Sequence, residues 1–271
     1  MNNVIMKALL INTFQKEIRN KTLLFLFVLS LFLIILINQI SVFFVSNPSV
    51  GQGFEWSHTK MSFLYEIISA WGGMLGFILG VSTIKSDMDC GVSQQIVAFP
   101  VRPAFYLANR LLGTWLIVNF YYIVTLVLAL LVFAFSGDQL ALSYKIFLSF
   151  GVFSLKILVC ITLAALLSIH FSKVIAFVSS IVLFTIMNIS NAHFAKEFAW
   201  SELGPFSVIG LLVHWLLPRV DTISGLSKNL LMDQNALMFN LYEGGHFLFS
   251  YAFLFWVTYL SLKSKDYQGG E

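Results

Sequence analysis

Charge is what this sequence has least of. Only 11% of its 271 residues are Asp, Glu, Lys or Arg, whereas a soluble domain carries roughly a quarter. The shortage excludes a water-soluble enzyme and is explained if the outer surface faces lipid. Cysteine is almost missing too. Cys90 and Cys160 offer neither a disulfide framework nor the CxxC or Cys/His spacing of a metal site, and His170, His193, His214 and His246 stand singly. No metal is expected. No Gly-x-x-x-x-Gly-Lys-(Ser/Thr) loop occurs, so any nucleotide hydrolysis must come from another chain. No catalytic constellation stands out within the apolar runs, and no nucleic-acid partner is expected.

What is present is apolar: 58% of the residues, with a mean hydropathy of +0.85. The apolar residues fall into membrane-length runs that leave no material for a second core, so 1–271 is expected to be one transmembrane domain. In hydrocarbon the backbone must pair its own polar groups, which makes each run a helix of about 20 residues. The charge-free stretches predict spans at 22–44, 63–84, 111–135, 146–168, 174–189 and 247–262. The expected fold is all-α and polytopic, with six transmembrane helices. A further apolar stretch, 206–217, lies between Pro205 and Pro218 and is too short to span. It predicts a re-entrant or surface-lying pair of half-helices within an extracytoplasmic segment, 190–246.

Residues 1–21 are too long and mixed for a signal-peptide n-region, and no small-residue cleavage site follows. Within them 4–20 alternates apolar residues with Lys7, Lys16, Glu17 and Arg19. That pattern predicts an amphipathic helix lying against anionic lipid headgroups. Lys and Arg also set orientation. With the N-terminus inside, ten of them (Lys7, Lys16, Arg19, Lys21, Lys85, Arg102, Arg110, Lys173, Lys263 and Lys265) are cytoplasmic, against Lys60 and Lys145 in the short outer loops. Both termini are expected in the cytoplasm.

Three sets of residues are candidates for function. Gly72, Gly76 and Gly80 share one helix face and allow a close approach of two helices, either as a packing seam within the chain or as a dimer or sliding contact. Lys156 falls near the middle of the fourth span, where a lysine costs roughly 2.5–3.5 kcal/mol to insert. It is expected to line a translocation path, or else to snorkel or be buried in a subunit contact, with Glu66 as a candidate partner. The third set lies in the cytoplasmic segment 85–103. Asp87 and Asp89 precede Gly91, and acidic residues favour the N-terminal end of a helix. Val92, Ile96 and Phe99 then recur at helical spacing around Gln95, and Pro100 and Pro103 end the helix. A short helix with apolar knobs suits docking into a groove on a partner, though it also suits a stiff turn.

Here the chain resembles the permease subunits of ABC-2 type (type V) exporters. The resemblance rests on features in this order: a basic amphipathic start before the first span; Asp87 and Gly91 after the second; a short helix from Val92 to Phe99; Pro100-Val101-Arg102; Leu107-Ala108-Asn109-Arg110 opening the third span; and Lys265-Asp266 after the sixth. It departs from the family pattern in having Asp87 for the usual Glu and Val92 for a common Thr. The stretch Leu216-Leu217-Pro218-Arg219-Val220-Asp221 resembles a segment of permeases that accompany copper-enzyme maturation. The resemblance implies a bacterial inner-membrane permease that works as a homodimer or with a related permease. ATP would be bound by a separate ATPase subunit, with Asp87, Asp89 and Arg102 fixing the coupling helix against it. Membrane lipid and a periplasmic partner are further expected contacts. An ATP-independent carrier, an intramembrane enzyme and a non-transporting scaffold are the alternatives.

Overall fold

A chain surrounded by lipid has to satisfy every backbone N–H and C=O within itself, and nearly every described residue here is helical. The computed structural model describes residues 11–16, 21–46, 56–91, 103–135, 145–194, 205–231 and 241–268, with no strand among them. After a helical stretch at 11–16 come α1 (Lys21–Ser46), α2 (Trp56–Asp89), α3 (Pro103–Phe135), α4 (Lys145–His170), α5 (Lys173–Phe194), α6 (Pro205–Leu216), α7 (Val220–Leu231) and α8 (Leu241–Gln268). Five are long and apolar enough to cross a membrane: Phe63–Asp89, Pro103–Phe135, Lys145–His170, Lys173–Asn191 and Tyr242–Lys265. The chain is a helical, multi-pass membrane protein. In α1, apolar residues run from Leu24 to Ile40.

The bundle is built around α4, which packs against α2, α3, α5, α7 and α8, most extensively against α2. Two apolar clusters meet there. One joins α1, α2, α3 and α4 through Ile34, Leu75, Tyr121 and Phe153. The other joins α2, α4, α5, α7 and α8 through Phe77, Leu163, Met187, Ile223 and Leu254. In the first, Tyr122 stacks on Phe153 at a centroid distance of 4.3 Å and on Phe150 at 5.4 Å. Hydroxyls that would be costly in an apolar bundle return to the carbonyl four residues back: Thr83 to Leu79, Thr114 to Arg110, Thr125 to Tyr121 and Thr258 to Leu254.

The outer faces are as apolar as the core. On α5, Val174, Val178, Val182 and Ile186 form an exposed stripe at i, i+4 spacing, and α1 exposes Leu24, Phe25, Phe32 and Phe43. Such faces would drive aggregation in water and are ordinary in lipid.

The observed boundaries correct the expected ones at the segment between α2 and α3. The second helix runs on to Asp89 rather than stopping at 84, and the third begins at Pro103 rather than 111. A charge marks where a helix leaves hydrocarbon, and nothing obliges the helix itself to stop there. Pro103 opens α3, where its missing N–H has no intrahelical partner to lose, and the helix it was expected to end lies outside the described residues. Pro218 separates α6 from α7, both 12 residues long.

Candidate functional site

The C-terminal end of a helix carries a partial negative charge, and α2 ends on two acids, Asp87 and Asp89. They therefore lie in the last turn of α2, while the helix expected from Val92 lies outside the described residues. What keeps them there is cationic. Asp87 is buried, and Arg110 Nη2 reaches its Oδ2 at 2.6 Å while Lys16 Nζ reaches its Oδ1 at 3.2 Å. Tyr106 donates its hydroxyl to the same carboxylate at 2.6 Å. Tyr106 and Arg110 are one turn apart on α3, so they project on the same face, and the guanidinium lies 5.8 Å from the Tyr106 ring centre.

Arg110 has its side chain 3% exposed. Its Nη1 donates to Thr13 Oγ1 at 2.8 Å. Lys16 also bonds to Ser86. One turn beyond Arg110, Gly113 makes room for Thr13: a Cβ there would stand 3.0 Å from Thr13 Cγ2. A buried junction thus ties the 11–16 segment, the end of α2 and the start of α3 into one unit. Burying such charges is costly, and the cost is offset only when each finds its partners.

Asp89 is exposed and pairs with Lys173 Nζ, on the first residue of α5, at 2.9 Å. Gly91 adopts φ = 68°, the left-handed conformation that commonly stops a helix. The last turn closes through Cys90 N–H to Ser86 C=O at 3.0 Å and Gly91 N–H to Met88 C=O at 3.1 Å. Val92, Gln95, Ile96, Phe99, Pro100 and Arg102 lie outside the described residues, but the two ends of their segment belong to this junction.

Lys156, on α4, donates to Ser69 Oγ of α2 at 2.7 Å and lies 5.9 and 6.0 Å from the ring centres of Phe153 and Phe184. Glu66 is not its ion-pair partner, which corrects that expectation: the Glu66 carboxylate accepts from Lys228 Nζ of α7 at 2.7 Å. Ser69 sits one turn deeper on α2 than Glu66, so the lysine meets a hydroxyl first. The three glycines all face α4. A Cβ at Gly72 would lie 3.2 Å from Phe153 Cζ, and one at Gly76 would lie 3.5 Å from Cys160 Cβ. At Gly80 the space closes: a Cβ would stand 2.7 Å from the Ile161 carbonyl oxygen.

Arg219, in the break between α6 and α7, lies 5.7 Å from the ring centres of both Trp215 and Tyr242. His246 Nε2 is 3.0 Å from the Trp215 carbonyl oxygen. Burial, then the charge of Arg219 and then that of His246, push His214 down to about 4, so it is neutral at ordinary pH.

Arg110, Tyr106, Lys16 and Thr13 were not singled out as site residues by sequence. Arg110 was counted only among the cations that set orientation, and its burial on Asp87 is a contact that count did not foresee. The available signal was Tyr-x-x-x-Arg, which puts both groups on one helical face. No group of three His, Cys, Asp or Glu side chains suited to a metal occurs among the described residues. The sequence matches no family model and no curated protein.

Proposed function

We propose that this chain is the membrane-spanning permease subunit of an ATP-driven exporter of the ABC-2 type. The observation that carries this reading is the buried Asp87–Arg110–Lys16–Tyr106 junction. It fastens together both flanks of segment 92–102 and the N-terminal segment, as a force-receiving element requires. A partner that pressed on 92–102 would displace the end of α2, the start of α3 and the N-terminal segment together. With α1 counted, six helices cross the bacterial inner membrane, both termini lie in the cytoplasm, and α6 and α7 form a re-entrant pair on the outer side. Residues 1–21 rest on the inner lipid surface, and 85–103 couples to the ATPase.

Two copies of the permease pair with two ATPase subunits, which supply the ATP site that this chain has no phosphate loop to form. Closure of the ATPase dimer drives the helices between two packings, the kind of bistable rearrangement on which switching depends. Gly72, Gly76 and Gly80 permit α2 to move along α4, and Lys156 with Ser69 marks the translocation path. The decisive experiment is affinity purification of the tagged chain in mild detergent, with and without Val92→Asp, Ile96→Asp and Phe99→Asp together. An ATPase subunit recovered with the unaltered chain and lost with the triple variant supports the proposal. Failure to recover any ATPase with the unaltered chain removes its mechanism.

One observation favours an ATP-independent carrier: Lys156 is an ionisable group within a span, and such groups mark substrate or ion pathways. Transport by purified protein in vesicles, with and without ATP, separates the two. A cysteine placed at 156, in a chain lacking Cys90 and Cys160, tests the path itself by its reaction with a water-soluble thiol reagent. Complete protection in every nucleotide state removes Lys156 from it.

A further inference from the structure

Beside the α6–α7 break a cleft of about 600 Å³ opens between α4, α7 and the start of α8. That volume falls within the range of ligand sites, roughly 300–1,000 Å³. Its walls are apolar, with Leu155 from α4, Ile223 and Leu226 from α7, and Phe247 from α8. On α4 the lining runs from Leu148 to Leu155, about 10 Å at 1.5 Å per residue. Two charged residues also line it, Arg219 and Glu243. Glu243 lies in the first turn of α8, and Leu148 lies in the first turn of α4. The charge and the shallow end of the apolar wall therefore belong to the same side of the bundle.

Neither charge is neutralised by another described residue. Among the described residues neither Arg219 nor Glu243 forms an ion pair. Arg219 Nε is buried with no hydrogen-bond partner, as is Arg110 Nε, so what sets Arg219 apart is that no acid meets it among the described residues. The ring faces of Trp215 and Tyr242 hold the guanidinium in place without using its N–H groups. Nearby His214 is neutral and contributes no second cation. A ligand matching this cleft has an apolar chain, an anion with several acceptor oxygens for Arg219, and a cationic N–H donor for Glu243.

We propose that the cleft binds one phospholipid with an aminoethyl headgroup: the phosphate on Arg219, the primary ammonium on Glu243, and an acyl chain along α4. Arginine suits the phosphate because its planar fork meets two oxygens at once. Glu243 selects the headgroup. A choline ammonium has no N–H to donate, and an anionic glycerol headgroup brings no cation. This site depends on neither an ATPase partner nor the orientation of the chain.

The test uses the full chain in phosphatidylcholine nanodiscs and reads the immobilised fraction of nitroxide-labelled lipids by electron paramagnetic resonance. Labelled phosphatidylethanolamine is expected to be retained over phosphatidylcholine and phosphatidylglycerol by about tenfold, the size of one charge-assisted hydrogen bond. Glu243→Gln is expected to abolish that preference, and Arg219→Ala to lower retention of every phospholipid. Arg219→Lys keeps the charge and restores part of it, which separates loss of the site from loss of the fold. Gly245 lines the cleft, and a Cβ there meets nothing within 4 Å. Gly245→Phe therefore fills the cleft with both charges intact, and is expected to expel the lipid. Equal retention of the three headgroups by the unaltered chain overturns the proposal, as does a preference that survives both Arg219→Ala and Glu243→Gln. Full displacement by water-soluble glycerophosphoethanolamine at equal concentration overturns the role of the apolar wall.

Discussion

Arg110 and Arg219 stand at two ends of the bundle and are treated in opposite ways. Arg110 is enclosed and committed: a carboxylate at 2.6 Å, a threonine hydroxyl at 2.8 Å, and a side chain almost out of contact with solvent. Arg219 is held only by ring faces, with no acid on it among the described residues. The first arrangement fixes three segments relative to one another; the second keeps a cation in position while leaving its hydrogen bonds free. The difference lies in the counter-ion: Arg110 has a buried carboxylate, and Arg219 meets none among the described residues.

The largest effect is expected at Asp87. Asp87→Ala leaves Arg110 buried without its counter-ion, a loss of about 3–5 kcal/mol. It is measured as a fall in the unfolding midpoint of the purified protein in detergent. Asp87→Ala combined with Arg110→Met is expected to be more stable than Asp87→Ala alone, because the stranded charge has gone. If the double variant is the less stable of the two, the junction is held by packing rather than by charge, and the contrast with Arg219 fails.

Next in size is the α2–α4 seam. A Cβ at Gly80 would come within 2.7 Å of the Ile161 carbonyl oxygen and 2.9 Å of Ala164 Cβ, and neither belongs to a flexible chain end. Gly80→Ala is expected to cost about 1–3 kcal/mol. Gly73, on the same helix, has nothing within 4 Å of such an atom, so Gly73→Ala is the control. Equal melting of the two variants would mean that α2 shifts freely against α4.

The seam was legible because a run of glycines four apart can only mark one face of a helix, and α4 is the helix that covers that face. The long spans were legible for a similar reason: a run without charge is itself the physical property that lipid demands. The junction at Asp87 was not. Lys16 and Asp87 are 71 positions apart, and no local pattern announces that they meet. Asp87 and Asp89 also misled, since acids beside a glycine suit the start of a helix by the dipole argument. At Asp87 the buried contacts with Arg110 and Lys16 override that preference, which is worth only a few tenths to one kcal/mol. Glu66 misled differently. Lys156 and Glu66 are the ionisable groups of their spans, and pairing them ignored α7, whose Lys228 reaches the carboxylate first.

At Arg219 the cost to the fold is expected to be smaller than at Asp87. Arg219→Ala removes two ring contacts and strands no counter-ion, so about 0.5–2 kcal/mol is lost. Its unfolding midpoint is compared with that of Asp87→Ala under the same conditions. A fall as large as that of Asp87→Ala would mean Arg219 is structural and not held in reserve.

The smallest effect is expected at the Glu66–Lys228 pair, even though its 2.7 Å separation is as short as the contacts of the buried junction. Distance is not what decides the matter. The Glu66 side chain is 59% exposed and the Lys228 side chain 33%, so water and salt screen the attraction and each partner is well solvated when the other is removed. Exposed pairs of this kind contribute about 0–1 kcal/mol. Glu66→Gln should shift the unfolding midpoint little, and the shift should shrink further as salt is raised. A large, salt-insensitive loss would show that this pair is shielded in the assembled protein. Glu66 and Lys228 would then belong with Arg110 among the committed charges rather than with the exposed ones.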